Sequence, residues 1–253
     1  MSAAGSRRAG QAQRSGEPRL RAVLWDMDGT ILDSERLWDV AVYELAARLG
    51  GTLTPQTRQA MIGATAPAAL ATMFAAFNLD PTPQAFDDAR DWLDNRVVAM
   101  FAEEVPWRPG AKDALGLVRD AGLRTALVTN TKRRLTECAL DIIGRDFFDV
   151  SVCGDEVLRG KPDPQPYLRA AALLGVDPAE CVAIEDSPTG AASAEAAGCA
   201  VIVVPCEVAV PPGPARVFRS GLEGLRLADV RDALAVRGPV RPQVGPVCEN
   251  ERS

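Results

Sequence analysis

Three features predict an α/β fold: a three-layer core around a parallel sheet of about five strands, with an inserted all-helical domain. From residue 111 onward, short apolar runs alternate with segments of helical periodicity, the pattern of a parallel sheet whose crossovers are helices. Residues 35–104 carry helical periodicity and need no strand. The 253 residues are 47% apolar, enough for one large core carrying an insert.

Residues 1–19 are rich in Ala, Gly, Ser, Gln and Arg and lack an apolar stretch. They are expected to be a disordered tail rather than a signal peptide. Residues 21–25 mix apolar and β-branched side chains and predict a buried first strand. A helix over 35–49 follows, with Ser34 as its N-cap and Gly50-Gly51 as its stop. Helices over 55–62, 67–77 and 83–102 each have Pro, Thr or Asp near the start. The domain boundaries expected are therefore a helical insert over 35–104 within a core made of 20–34 and 105–235.

A helix over 111–121 opens the second part of the core. Strands are expected at 124–129, 149–153, 181–184 and 200–204, separated by helices at 132–143, 165–174 and 188–197. Beyond residue 207 the chain is rich in Pro, Arg and Gly, with a short helix expected within 222–235 and a disordered tail over 236–253. The insert leaves the carboxyl end of the first strand, the edge at which open α/β sheets bind ligands.

Composition excludes several chemistries. The net charge of −6 argues against a nucleic-acid partner, and no apolar run is long enough to span a membrane. The chain has no histidine, which removes Ser-His-Asp triads, Cys-His dyads and histidine zinc sites. Its six cysteines form no CxxC pair and read as core thiols of a reducing compartment, so a cytoplasmic protein is expected. Lysine is scarce, present only at 112, 132 and 161.

Four segments carry candidate chemistry. Asp26-Met27-Asp28-Gly29-Thr30 follows the first strand, and the period of two lets Asp26 and Asp28 point the same way. Two carboxylates this close repel, so they need a cation or a shared proton, and a hard divalent ion suits oxygen ligands. Thr129-Asn130 ends a strand, where hydroxyl, amide and helix N–H groups can donate to a phosphate oxygen. Alone this is common turn chemistry. Lys161 sits in Gly160-Lys161-Pro162-Asp163-Pro164, a stiff loop before a helix that would otherwise hold a surface lysine. Glu185-Asp186-Ser187-Pro188 follows an apolar strand, where Asp186 could equally be a helix N-terminal acid.

Together these segments resemble the four motifs of the haloacid dehalogenase superfamily of phosphohydrolases, in the family's order from Asp26 to Gly190. The insert resembles the helical cap of its phosphoglycolate phosphatase and β-phosphoglucomutase branch. The resemblance covers residues 21–204 and implies a Rossmann-like core under a cap. It implies that Asp26 is the nucleophile, with Asp28 as general acid and then base. It implies that Thr129, Asn130 and Lys161 bind the phosphoryl group. Magnesium (Mg2+) would be held by Asp26, Glu185, Asp186 and the Asp28 carbonyl. The expected activity is Mg-dependent hydrolysis of a small phosphorylated metabolite through an aspartyl-phosphate, by a monomer, with a dimer as the alternative. Glu35, Trp38, Ala64 and Thr65 would face the substrate, and Arg36, Arg48, Arg90 or Arg96 could reach it.

Three alternatives share the fold or its chemistry. A dehalogenase of the family lacks the second Asp and needs no metal. A phosphosugar mutase places a histidine on the first cap helix, where counting from the first motif puts Trp38. A phospho-accepting signalling receiver is smaller, lacks a cap and carries its Asp on a middle strand.

Overall fold

The computed structural model describes residues 19–61, 66–101 and 105–236. Most of the two expected tails lies outside the described residues, as do Ala64, Thr65 and the side chain of Glu35. The described residues form one sheet of six strands, all neighbours parallel. These are β1 (Ala22–Trp25), β2 (Arg124–Val128), β3 (Val150–Val152), β4 (Cys181–Glu185), β5 (Ala200–Val203) and β6 (Arg216–Phe218), in the order β3-β2-β1-β4-β5-β6.

The count of about five is thus corrected to six. The strand that escaped notice, β6, is a three-residue edge strand, partly exposed and preceded by a proline-rich stretch. It shows no alternation to detect, and its pairing to β5 exists only once the sheet is assembled. The expected helix over 222–235 is shorter as well, because residues 222–225 form a turn and the helix proper is Leu227–Ala235.

Period-two alternation places the core on both faces of the sheet. Val23, Trp25, Leu127, Val182, Ile184 and Ile202 point into one cluster, and Leu24, Ala126, Val128, Ala183, Val201 and Val203 into the other. Each Val, Leu or Ile so buried contributes about 1.5–3 kcal/mol relative to exposure. Helices α5 (Ala111–Asp120), α6 (Arg133–Ile143) and α9 (Leu227–Ala235) cover the first face. Helices α7 (Gln165–Leu174) and α8 (Pro188–Ala197) cover the second. On α7 the buried stripe Tyr167, Ala170, Ala171 and Leu174 has i, i+3, i+4, i+7 spacing, and Gly175 ends the helix in the left-handed conformation.

Between β1 and α5, the described residues hold four helices and no strand: α1 (Glu35–Arg48), α2 (Pro55–Met61), α3 (Ala66–Ala76) and α4 (Pro83–Phe101). Their buried faces, among them Ala41, Leu45, Met73, Leu93 and Val97, join the first cluster. The sheet order reverses between β1 and β4, so the carboxyl ends of those two strands open a crevice facing this insert.

Candidate active site

The first motif sits at that crevice because β1 runs straight into it. The Asp26 N–H still bonds the Ile184 carbonyl of β4 at 3.0 Å, extending the strand by one residue. Gly29 then turns the chain at φ +78, and a Cβ there would lie 2.2 Å from Asp186 Oδ2. Only glycine satisfies both the angle and this approach.

Asp26 is buried. Its Oδ1 accepts a hydrogen bond from Lys161 Nζ at 2.6 Å, while its Oδ2 has no hydrogen-bond partner among the described residues. Burial pushes the Asp26 carboxyl up to about 7, against the pull of Lys161 and with further push from Glu185 and Asp28. Burial alone would lower the Lys161 pKa, yet the charges of Asp26 and Glu185 outweigh it and hold the ammonium protonated.

Asp28 is tied elsewhere. Its Oδ1 accepts from Ser34 Oγ at 2.7 Å and the Trp38 indole at 3.5 Å, and its Oδ2 from Thr131 Oγ1 at 2.7 Å and Thr129 Oγ1 at 3.2 Å. Ser34 does stand at the N-cap of α1, but its hydroxyl makes no cap hydrogen bond and serves Asp28 instead. Asn130 is likewise committed: its Oδ1 accepts from the Lys161 N–H at 2.8 Å and its Nδ2 donates to the Lys161 carbonyl at 3.2 Å. It therefore holds the loop that presents the lysine.

Asp26, Glu185 and Asp186 each bring one carboxylate oxygen within 4.8 Å of the others, all three buried. An all-oxygen, buried set with an unbonded Oδ2 on Asp26 fits a hard divalent ion. The three oxygens are not equivalent. Both Glu185 oxygens already accept protein donors: Oε1 from Lys161 Nζ and Tyr167 Oη at 2.6 Å each, Oε2 from the Asp186 N–H and Ser187 Oγ at 3.2 Å. The Asp28 side chain is outside the cluster, which leaves its main-chain carbonyl as the atom the resemblance implicates.

A cavity of about 940 Å³ lies between these residues and the helical insert. Asp26, Asp28, Thr129, Asn130, Lys161 and Asp186 line its core side, and Trp38, Arg58, Met61, Arg90 and Asp94 are among those on the insert side. Of the four arginines picked out in the insert, only Arg90 lines it. Arg36 pairs with Asp33, Arg96 with Glu44, and Arg48 stacks on Trp92. Lys132 Nζ of the core bonds Asp94 Oδ2 of α4 at 2.6 Å across the cavity. Sequence reasoning missed Thr131, Tyr167 and this pair. Thr131 carried a signal, a second hydroxyl two residues past Thr129, whereas Tyr167 looked like one more member of a core stripe.

The haloacid dehalogenase-like hydrolase family model matches residues 20–198. Hexitol phosphatase B of Escherichia coli is 32% identical over 190 residues, 74% of this chain and 84% of that protein. A phosphoglycolate phosphatase of Cupriavidus necator is 34% identical over 209 residues, 79% of this chain and 87% of that protein. Among solved structures, CbbY from Rhodobacter sphaeroides in complex with phosphate superposes with a TM-score of 0.75 at 31% identity, covering 84% of this chain and 99% of that one. With the four motifs converging at one crevice and the family model spanning them, the chain belongs to the haloacid dehalogenase-like hydrolases and is an enzyme.

Proposed function

We propose that this enzyme is a Mg2+-dependent phosphatase that hydrolyses a small phosphorylated metabolite of the sugar-phosphate kind through an aspartyl-phosphate on Asp26. The observation that carries this is the asymmetry of Asp26: one oxygen is held by Lys161, the other is buried and unbonded beside Asp186. The names of the hexitol phosphatase and phosphoglycolate phosphatase relatives support the substrate class.

In this mechanism Asp26 attacks phosphorus in line and forms the acyl phosphate. Asp28, reached by hydroxyls from both Ser34 and Thr131, protonates the leaving alcohol and then takes the proton of the water that releases phosphate. Lys161 and Thr129 steady phosphoryl oxygens, and Asn130 fixes the Lys161 loop. Asp26, Asp186, the Asp28 carbonyl and Glu185, directly or through water, would hold the cation. When bound, Mg2+ neutralises charge on the phosphoryl oxygens and relieves repulsion within the acid cluster. Residues 35–104 act as the cap over the site, and Trp38, already against Asp28, faces the leaving group. The mutase alternative loses its central residue, because the chain has no histidine and Trp38 fills the place.

Asp28→Asn tests the acid role. General acid help is worth roughly 10²–10⁴-fold, and it matters most when the leaving group is a poor one. Single-turnover phosphorylation of the variant should therefore be slowed far more with an alkyl phosphate than with an activated aryl phosphate. Equal losses for the two esters would sink the role. Hydrolysis of either ester by the wild-type chain is expected to stop in EDTA and to return with added Mg2+.

A further inference from the structure

We propose that Tyr167 is a positioning residue for this reaction: its hydroxyl fixes the Glu185 carboxylate, and Glu185 in turn holds the Lys161 ammonium against Asp26. The proposal rests on the phosphoryl-transfer roles given to Asp26 and Lys161 above. Tyr167 lies on α7, in the layer on the far side of the sheet from α5, α6 and α9, and is fully buried. Its hydroxyl donates to Glu185 Oε1 at 2.6 Å, the atom that also accepts Lys161 Nζ at 2.6 Å. The ammonium stands 5.3 Å from the centroid of the same ring, within range of a cation–π contact. Tyr167 thus meets the lysine twice, by its ring and through Glu185.

The carboxylate between them has nowhere to turn. Oε2 is held by the Asp186 N–H and Ser187 Oγ. Gly190 closes the remaining side, since a Cβ there would lie 1.9 Å from Oε1. Lys161 has three N–H donors; Asp26 and Glu185 take two, and one remains for a phosphoryl oxygen. A ring that only filled the core would serve as well without a hydroxyl. Here the hydroxyl shares the load on Oε1. Without it the ammonium is the sole donor to that oxygen and is drawn toward Glu185, away from Asp26.

The experiment is Tyr167→Phe in the full chain, assayed with an aryl phosphate and Mg2+ beside wild type. The expected result is a kcat lower by about tenfold, the scale of an outer-shell partner, with KM changed less than twofold and an unaltered thermal midpoint. A kcat within twofold of wild type overturns the proposal, as does a loss that merely follows a lowered midpoint. If wild type itself hydrolyses no ester, the phosphatase reading fails rather than this one. A second measurement needs no substitution at 167. Tyr43 and Tyr167 are the chain's two tyrosines, so 3-fluorotyrosine labelling gives two ¹⁹F resonances, assigned with Tyr43→Phe. The Tyr167 resonance should move on addition of Mg2+ with inorganic phosphate. A resonance unmoved at saturation overturns the coupling.

Discussion

The charge of Asp26 governs the chemistry of the site and its stability alike. Its carboxyl is pushed up to about 7, chiefly by burial. A native state that holds a proton more tightly than the unfolded chain loses stability as pH rises, here from the ordinary carboxylate range near about 4 to about 7. Asp26→Asn removes the ionisation and, on the proposed mechanism, the nucleophile as well. In chelator at pH 8 the variant should unfold at a higher temperature than wild type, by roughly 5–10 °C for a gain of a few kcal/mol, while turnover disappears. At pH 5 the gap should narrow, because wild-type Asp26 is then protonated too. Thermal unfolding at the two pH values checks this, and a lower midpoint for the variant at pH 8 contradicts it.

Secondary elements deliver the site through their ends. β1 and β4 end side by side in parallel register, Trp25 opposite Ile184, so Asp26 and Glu185-Asp186 emerge together. Ser187 accepts from the Gly190 N–H at 3.1 Å and starts α8 where the acids stop. Glycines fix such junctions to different degrees. Gly110 and Gly122 both have positive φ, +78 and +69. A Cβ on Gly122 meets nothing within 4 Å, whereas one on Gly110 lies 2.4 Å from the Glu223 backbone nitrogen. Gly122→Ala should cost about 1–2 kcal/mol of strain, and Gly110→Ala clearly more, because backbone rather than a flexible side chain must yield. Denaturant unfolding of the two variants measures the difference; equal costs would mean that the 222–225 turn moves aside freely.

At the scale of the whole molecule, an ion pair across the cavity helps to join core to insert. Lys132 precedes α6 and its 2.6 Å partner Asp94 belongs to α4. Both are partly exposed, so the pair stabilises the fold by no more than about 1 kcal/mol. Its influence on the cavity is larger. Asp94→Asn leaves Lys132 without its carboxylate partner beside the proposed phosphate-binding side and should lower KM for an anionic ester severalfold at low salt. High salt should erase the gain. Kinetics at two ionic strengths decide it, and a KM raised or unchanged at low salt would contradict the assignment. Among the described residues no helix is long and apolar enough to cross a membrane.

Much of this protein is legible in its sequence. Periodicity alone places five of the six strands among the described residues and the helices that separate them, because period two and period 3.6 are local properties of the chain. Aspartates two residues apart, a rare lysine between Gly and Pro, and an acidic pair after an apolar strand mark the site residues for the same reason. Partner choice is not local. That Lys161 bridges Asp26, 135 positions away, and Glu185, 24 away, depends on β4 lying beside β1. The Ser34 hydroxyl passes over its own helix for Asp28, and Tyr167 turns from core filler to a donor on Glu185. Each of those contacts exists only after strand order and burial have brought distant segments together, in an interior where an unpaired polar group is costly. Sequence specified the chemical groups, and the tertiary structure decided which of them hold one another.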